Sequence, residues 1–457
     1  MAVAPLMTNS HQIVVERIVK PPAAEKLYYR VSGKLDATSR TAIFAASLPP
    51  GDYQIAQVSA FRCTVVCMST WVEPGAQFSH FTIQSGRLTD LGAMVQMLLT
   101  SDSVILSHDQ HPDPSLTTNI LQTSLPDLAP LLDKPTLSWN DAPLIQESIG
   151  KGFELSKRYS YGLESVSATG DDRFIYGSAN GVVYSWTPGQ KPVPHDIGNR
   201  VSIESTLVTP NGSWLAGGEL GVLKQSDDGG QTWRSMRGNL PFAVVMSLTS
   251  WNDQVIATIL RDQEISLYMA AQGSDMWKLL ARHKMSISLL TDLPAMPIES
   301  HLFEDTLFTT IPGRQLAVMD LDSGNAQVRD LPGAVQSFGV SPNGLIRCRC
   351  VPFALFAYES SDRGKTWQDA SNSRSMNLPV FRDTQHGIAF EGGPFGPNRM
   401  HYTEDGGKTW SETTQMPTIF TQLFYSQDGK TAYAGSPDGI FWRSTDDGRH
   451  WQPDKRP

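Results

Sequence analysis

The chain has 457 residues, with 37 basic against 46 acidic side chains and a formal charge of −9. Hydrophobic residues make up 40% and charged ones 18%, below the roughly 25% usual for soluble domains, and 37 glycines with 30 prolines favour short strands and tight turns over long charged helices. Mild acidity without a basic cluster argues against nucleic acid and anionic membrane as partners, and no apolar run approaches the ~18–20 residues that span a bilayer.

The first ten residues carry no basic stretch followed by an apolar core, so no signal peptide is read there; an exported chain already freed of its leader would look the same. Residues 11–20, 26–35, 41–47, 53–58, 64–70 and 78–84 alternate as strands do. Within them lie Leu48-Pro-Pro-Gly-Asp-Tyr-Gln-Ile55 and Phe81-Thr-Ile-Gln-Ser-Gly-Arg-Leu-Thr-Asp-Leu-Gly92. These phrases resemble the small prealbumin-like β-sandwiches appended to bacterial envelope proteins, and the resemblance implies a β-sandwich over residues 1–115. Residues 116–150, with Pro126 and Pro130, read as a linker with a short helix. Segment 137–147 is the natural donor of a strand that closes the domain after it.

Four cysteines fall in two close pairs, Cys63/Cys67 and Cys348/Cys350. The second pair, at i and i+2 of a strand, faces one side and reads as packing; a bridge between Cys63 and Cys67 stays open. His108-Asp-Gln-His111-Pro-Asp113 could gather a metal. Three ligands on a proline-rich loop with no fourth partner read instead as a solvated turn.

From residue 151 onward the chain is periodic. Four octapeptides share the pattern Ser/Thr-x-Asp-x-Gly-x-Thr/His-Trp: Ser226 to Trp233, Ser360 to Trp367, Thr403 to Trp410 and Ser444 to Trp451. Their tryptophans are spaced 134, 43 and 41 residues apart, and 134 is three periods. Degenerate copies fill the gap at Gly273-Ser-Asp-Met-Trp277 and at Asp320-Leu-Asp-Ser-Gly324. Hairpin turns recur in phase about one half-period earlier, at Asn211-Gly212, Asn343-Gly344 and Asp428-Gly429. A Gly-x-x-x-Gly-Val/Ile step lies between the two landmarks, from Gly177 to Val182, Gly217 to Val222 and Gly435 to Ile440.

Each period thus reads as four short strands, the signature of β-propeller blades. Counting turns predicts an all-β protein with seven blades over residues 151–457. One blade is long, with its surplus at 284–301.

The octapeptide resembles the Asp-box, or bacterial neuraminidase repeat, of sialidases, sortilin-type receptors, two-propeller xyloglucanases and the propeller factors that assist photosystem II assembly. Its residues have structural reasons. Asp228, Asp362, Asp405 and Asp446 can accept backbone N–H bonds across a tight turn. Gly230, Gly364, Gly407 and Gly448 permit positive φ. Trp233, Trp367, Trp410 and Trp451 can seal apolar surface. The resemblance implies fold rather than activity.

A sialidase needs an arginine triad and a Phe/Tyr-Arg-Ile-Pro motif, and the nearest match here is Phe381-Arg-Asp-Thr384 without the proline. Walker and dinucleotide fingerprints are also missing. The expectation is therefore a chain with no catalytic, metal or cofactor residues. It would be a non-catalytic protein-binding scaffold (an assembly factor, receptor or inhibitor) using one propeller face, outside the cytoplasm as the resemblances imply. A glycan-active enzyme or lectin is the alternative, and a cytoplasmic location the alternative to export. The expected contact face is the one opposite the boxes, where the second turns and the apolar stretch 284–301 place Glu219, Phe395, Asp438, Met285, Leu289, Leu290 and Met296.

Overall fold

The computed structural model describes residues 10–19, 25–34, 42–63, 67–74, 80–100, 103–108, 114–140, 142–158, 165–170, 172–261, 263–285, 298–351, 356–370, 377–392, 398–436 and 439–454. By contact the chain divides into two compact units, Pro5–Tyr159 with Arg200–Ser202, and Ser160–Asn199 with Ile203–Pro457.

In the first unit each of the six predicted strand regions forms a strand. Five lie side by side in the order Ile43–Phe44, Leu27–Lys34, Ser10–Arg17, Gly51–Cys63 and Cys67–Val72, and His80–Ile83 pairs with the first half of Gly51–Cys63. Ile13, Val15, Tyr53, Ile55, Val58 and Phe81 are buried on one face of this sheet. A two-stranded ribbon, Met94–Thr100 with Ser103–His108, was not foreseen. Nor was the helix Pro143–Ser156. The expected short helix is a pair, an α-helix Pro114–Ser124 and a 3-10 helix Pro126–Asp133. The unit is thus one sheet of six strands with a ribbon and helices.

Two expectations for this region are corrected. Segment 137–147 gives no strand to the second unit. Leu137 and Trp139 bridge to Thr89 and Phe81 inside the first unit, the Trp139 indole N–H donates to the Leu91 carbonyl at 2.9 Å, and Pro143 opens the helix. His108 is not a solvated loop residue. It is a buried strand residue whose ring stacks on Trp139 with centroids 4.1 Å apart. Asp109, His111 and Asp113 lie outside the described residues.

The second unit consists of seven four-stranded antiparallel sheets in strict chain order, spanning residues 166–196, 203–235, 244–284, 300–330, 334–369, 377–415 and 422–453. Each is a meander, first strand to fourth. The seventh sheet takes all four strands from its own repeat, the last being Gln452–Pro453. The first and seventh sheets meet by packing: Phe174 and Trp186 of the first lie against Phe424, Tyr433 and Phe441 of the seventh. The Gly189 N–H also donates to the Asp454 carboxylate at 2.6 Å.

Glycines set how closely neighbouring sheets approach. Gly177 and Gly217 start two of the predicted glycine steps, and a Cβ on either would come within 2.5 Å of the next sheet's first strand, at Ile203 and Val245 respectively. Beyond them the seams are filled with carbon. Leu215 and Leu223 meet Val245, Val255 and Trp277; Leu260 and Ile265 meet Ile311 and Ala317; Phe308 and Leu316 meet Val335 and Ile346; Phe390 and Met400 meet Leu423 and Ala434. Cys348 and Cys350, expected only to pack, are buried in one of these seams, and there they are joined to each other as a disulfide. The side chains of Cys63 and Cys67 lie outside the described residues.

Candidate binding cleft and the box face

In all four octapeptides the structure draws the same turn between third and fourth strands. The carboxylates of Asp228, Asp362, Asp405 and Asp446 each accept a 2.8 Å bond from the hydroxyl that opens the box. Each also accepts a 2.9 Å bond from the backbone N–H of the residue before the tryptophan. The side chain of that residue donates to the second carboxylate oxygen, at 2.6 Å for Thr232, Thr366 and Thr409 and 2.5 Å for His450. Hydrogen bonds that require the ionised form depress the acid's pKa. The Thr232 hydroxyl and backbone hold Asp228 at about 2. Burial raises Asp405, yet Thr409 and Thr403 bring it to about 2. Two consecutive residues at positive φ complete the turn: Gly229 and Gly230, Arg363 and Gly364, Gly406 and Gly407, Asp447 and Gly448.

The boxes also clasp each sheet to the one before it. The boxed glycines leave no room for a Cβ: one on Gly230 would sit 2.6 Å from His195 of the first sheet, and one on Gly448 2.6 Å from Ile388 of the sixth. His195 Nδ1 meets the Gly230 carbonyl at 3.1 Å, Arg363 reaches back to Glu304 at 3.3 Å, and Arg382 pairs with Asp447. The tryptophans divide into two kinds. Trp233 and Trp451 donate their indole N–H to the boxed glycine's carbonyl, at 3.1 and 2.9 Å. Those of Trp367 and Trp410 are buried and meet no acceptor among the described residues.

The seam between fifth and sixth sheets differs from those filled with carbon. Arg347, buried on the second strand of the fifth sheet (Ile346–Val351), pairs with Glu359 at 2.6 Å, donates to the Gly406 carbonyl at 2.5 Å, and lies 4.3 Å over the Phe381 ring. Arg349, two residues along, is opposed by Glu391, which is itself bound by the buried His401 at 3.0 Å.

Above this seam, on the box side, opens a cleft of about 560 Å³ lined by the first turns and boxes of both sheets. Its acids are engaged: Glu359 by Arg347, Glu404 by Arg449, and Asp405 by its box. Ser361, Gln368, Thr384 and Gln385, also in its lining, make no side-chain hydrogen bond among the described residues. Sequence reasoning missed this cleft, although the alternation Arg347-Cys348-Arg349-Cys350 announces one charged strand face.

Two of the seven residues expected to bind a partner, Glu219 and Met285, lie within the described residues. Leu289, Leu290, Met296, Phe395 and Asp438 lie outside the described residues. Met285 is half-buried against Leu260, Ile265 and Ile298. Glu219 is fully buried in the second turn of its sheet, so the expectation that it faces a partner is corrected. In the first unit, cross-strand register puts Trp71 and Tyr28 on the sheet face opposite Ile13 and Val15, 60% and 53% exposed. Among the described residues no three His, Cys, Asp or Glu side chains come together as a metal site, and no helix is long and apolar enough to cross a membrane.

No family model matches the chain, and no curated protein does. Solved structures do. YCF48 with D1 peptide bound superposes with a TM-score of 0.51 at 15% identity, over 63% of this chain and 95% of that one. YCF48 from Cyanidioschyzon merolae gives 0.47 at 14% identity over 62% and 95%, and the WD40 β-propeller domain of Doa1 0.46 at 13% over 62% and 92%. The fold that this chain shares with the first of these is the β-propeller.

Proposed function

We propose that the seven sheets are the seven blades of one closed ring, that the octapeptides are Asp-boxes, and that the protein is a non-catalytic scaffold. It would hold a peptide segment of a protein partner in the cleft between the fifth and sixth sheets. One observation carries the reading. The cleft has the volume of a ligand site, its carboxylates are committed to structural pairs, and its free groups are the neutral donors and acceptors of Ser361, Gln368, Thr384 and Gln385. Such groups suit the alternating N–H and C=O of a peptide chain. They do not supply the two carboxylates of a glycosidase. The D1 peptide on YCF48 is a further support for a peptide ligand. The proposed contact is thus on the box side, in preference to the opposite face.

The test captures partners on the immobilised full chain and compares two variants. Gln368→Arg with Gln385→Arg fills the cleft, and should abolish capture. Leu290→Asp with Met296→Asp alters the apolar stretch 284–301, expected from the sequence on the opposite face, and should leave it intact. The reverse pattern would move the interface to that face, and turnover of a glycan substrate by the wild type would favour the enzyme reading. The extracytoplasmic location implied by the resemblances is part of this proposal, and fractionation of the source cells tests it.

A further inference from the structure

Within the same charged seam, and sharing no lining residue with the cleft, lies a separate cavity of about 20 Å³, room for a single small occupant, since one water needs ~10–15 Å³. Arg347 is 8% exposed, and its Nη1 is buried and meets no acceptor; nor does the buried Nε1 of Trp410. Both residues line this cavity, with Arg349, Phe338, Ala357 and Pro379. Two buried N–H donors left without a partner would each cost a desolvation penalty of about 1–3 kcal/mol.

The charge around the cavity indicates what satisfies them. Arg347 and Arg349 both line it; Arg347 pairs with Glu359 through Nε rather than Nη1, and Arg349 is opposed by Glu391. A water would also have to place its own two hydrogens, whereas the two groups that lack partners here are both donors. A monatomic anion accepts from every donor and brings no hydrogens.

We propose that this cavity is a halide site, in which Arg347 Nη1 and Trp410 Nε1 donate to one chloride-sized anion that ties the fifth sheet to the sixth. The site is independent of what the cleft binds.

Bromide is the probe, on the full-length chain. Crystals grown in sodium bromide should show an anomalous peak between the two donors. The melting temperature should rise by several degrees, and saturate, as sodium chloride or bromide replaces sodium gluconate at constant ionic strength. Trp410→Phe, which removes the N–H and keeps the ring, should lose that rise. A water in the cavity, bromide peaks on the surface alone (an adventitious ion only), or equal melting temperatures in halide and gluconate would each overturn the proposal. Should Trp410→Phe not fold, the wild-type anomalous map decides by itself.

Discussion

The indole of Trp186 in the first sheet lies flat on the phenyl ring of Phe441 in the seventh, with centroids 3.9 Å apart and planes 12° apart. The two residues are 255 apart in the chain, and aromatic packing joins the first and seventh sheets without exchange of a strand. Phe174, Tyr176, Phe424 and Tyr433 surround the pair, so six aromatic rings meet at this seam. Trp186→Ala should cost about 3–5 kcal/mol, the range for large aromatic truncations in cores. Denaturant unfolding measures it. A loss under about 1 kcal/mol would mean that the ring holds without this seam.

Because every strand of the seven sheets comes from residues 166–453, the second unit has no missing strand for the first to supply. A chain of residues 160–457 alone should therefore fold and melt in one cooperative transition. Calorimetry of that fragment checks it, and failure to fold would return a structural role to the first 159 residues.

What could be read from the sequence was what the chain closes locally. Each box is complete within eight residues, with its hydroxyl, carboxylate and glycine all in the motif, so fold and turn positions were legible before any coordinates. The ribbon at 94–108 escaped because Met94 to Thr100 is a nearly continuous apolar run without strand alternation. The helix Pro143–Ser156 carries a proline at its start, a fair signal, yet Gly150 and Gly152 in its interior obscure it. The charged seam escaped for another reason. Arg347 and Gly406 are 59 residues apart, and only the stacking of one sheet on the next brings them together.

The glycine steps make a sharper test of that stacking. Gly217 has no need of positive φ; its constraint is Val245, whose Cγ1 would lie 2.5 Å from an added Cβ. Gly217→Ala should destabilise by about 1–3 kcal/mol through overpacking. Gly217→Ala combined with Val245→Ala should recover most of that loss if contact is the cause. A double mutant that loses the sum of both single effects would point to the backbone instead.

Acidity should unfold the protein in two stages, each with its own residues. His195 is half-buried against Ser185 and the Gly230 carbonyl, and His283 is half-buried too; in both, partial burial lowers the pKa below the ordinary 6.5. A histidine whose folded pKa is depressed binds its proton more readily when unfolded. Its share of stability is therefore present above pH ~6.5 and lost as pH falls below that. The box carboxylates follow at lower pH. Asp228 and Asp405 sit at about 2 against an ordinary 3.8, and Asp428, held by the backbone and ammonium of Lys430, is also at about 2. Their contribution is complete above about pH 5 and is lost as pH falls through 4 toward 2. These turns face solvent, so each group supplies only a small part, and it is their repetition around the ring that makes the acid limb steep. Urea midpoints measured from pH 8 to pH 3 should show a shallow decline near pH 6 and a steeper one below 4. His195→Gln should flatten the first. Asp228→Asn with Asp405→Asn should lower stability at pH 7 and flatten the second, whereas a variant pair that stays as stable as wild type at pH 7 would show that the boxes do not hold the turns by charge.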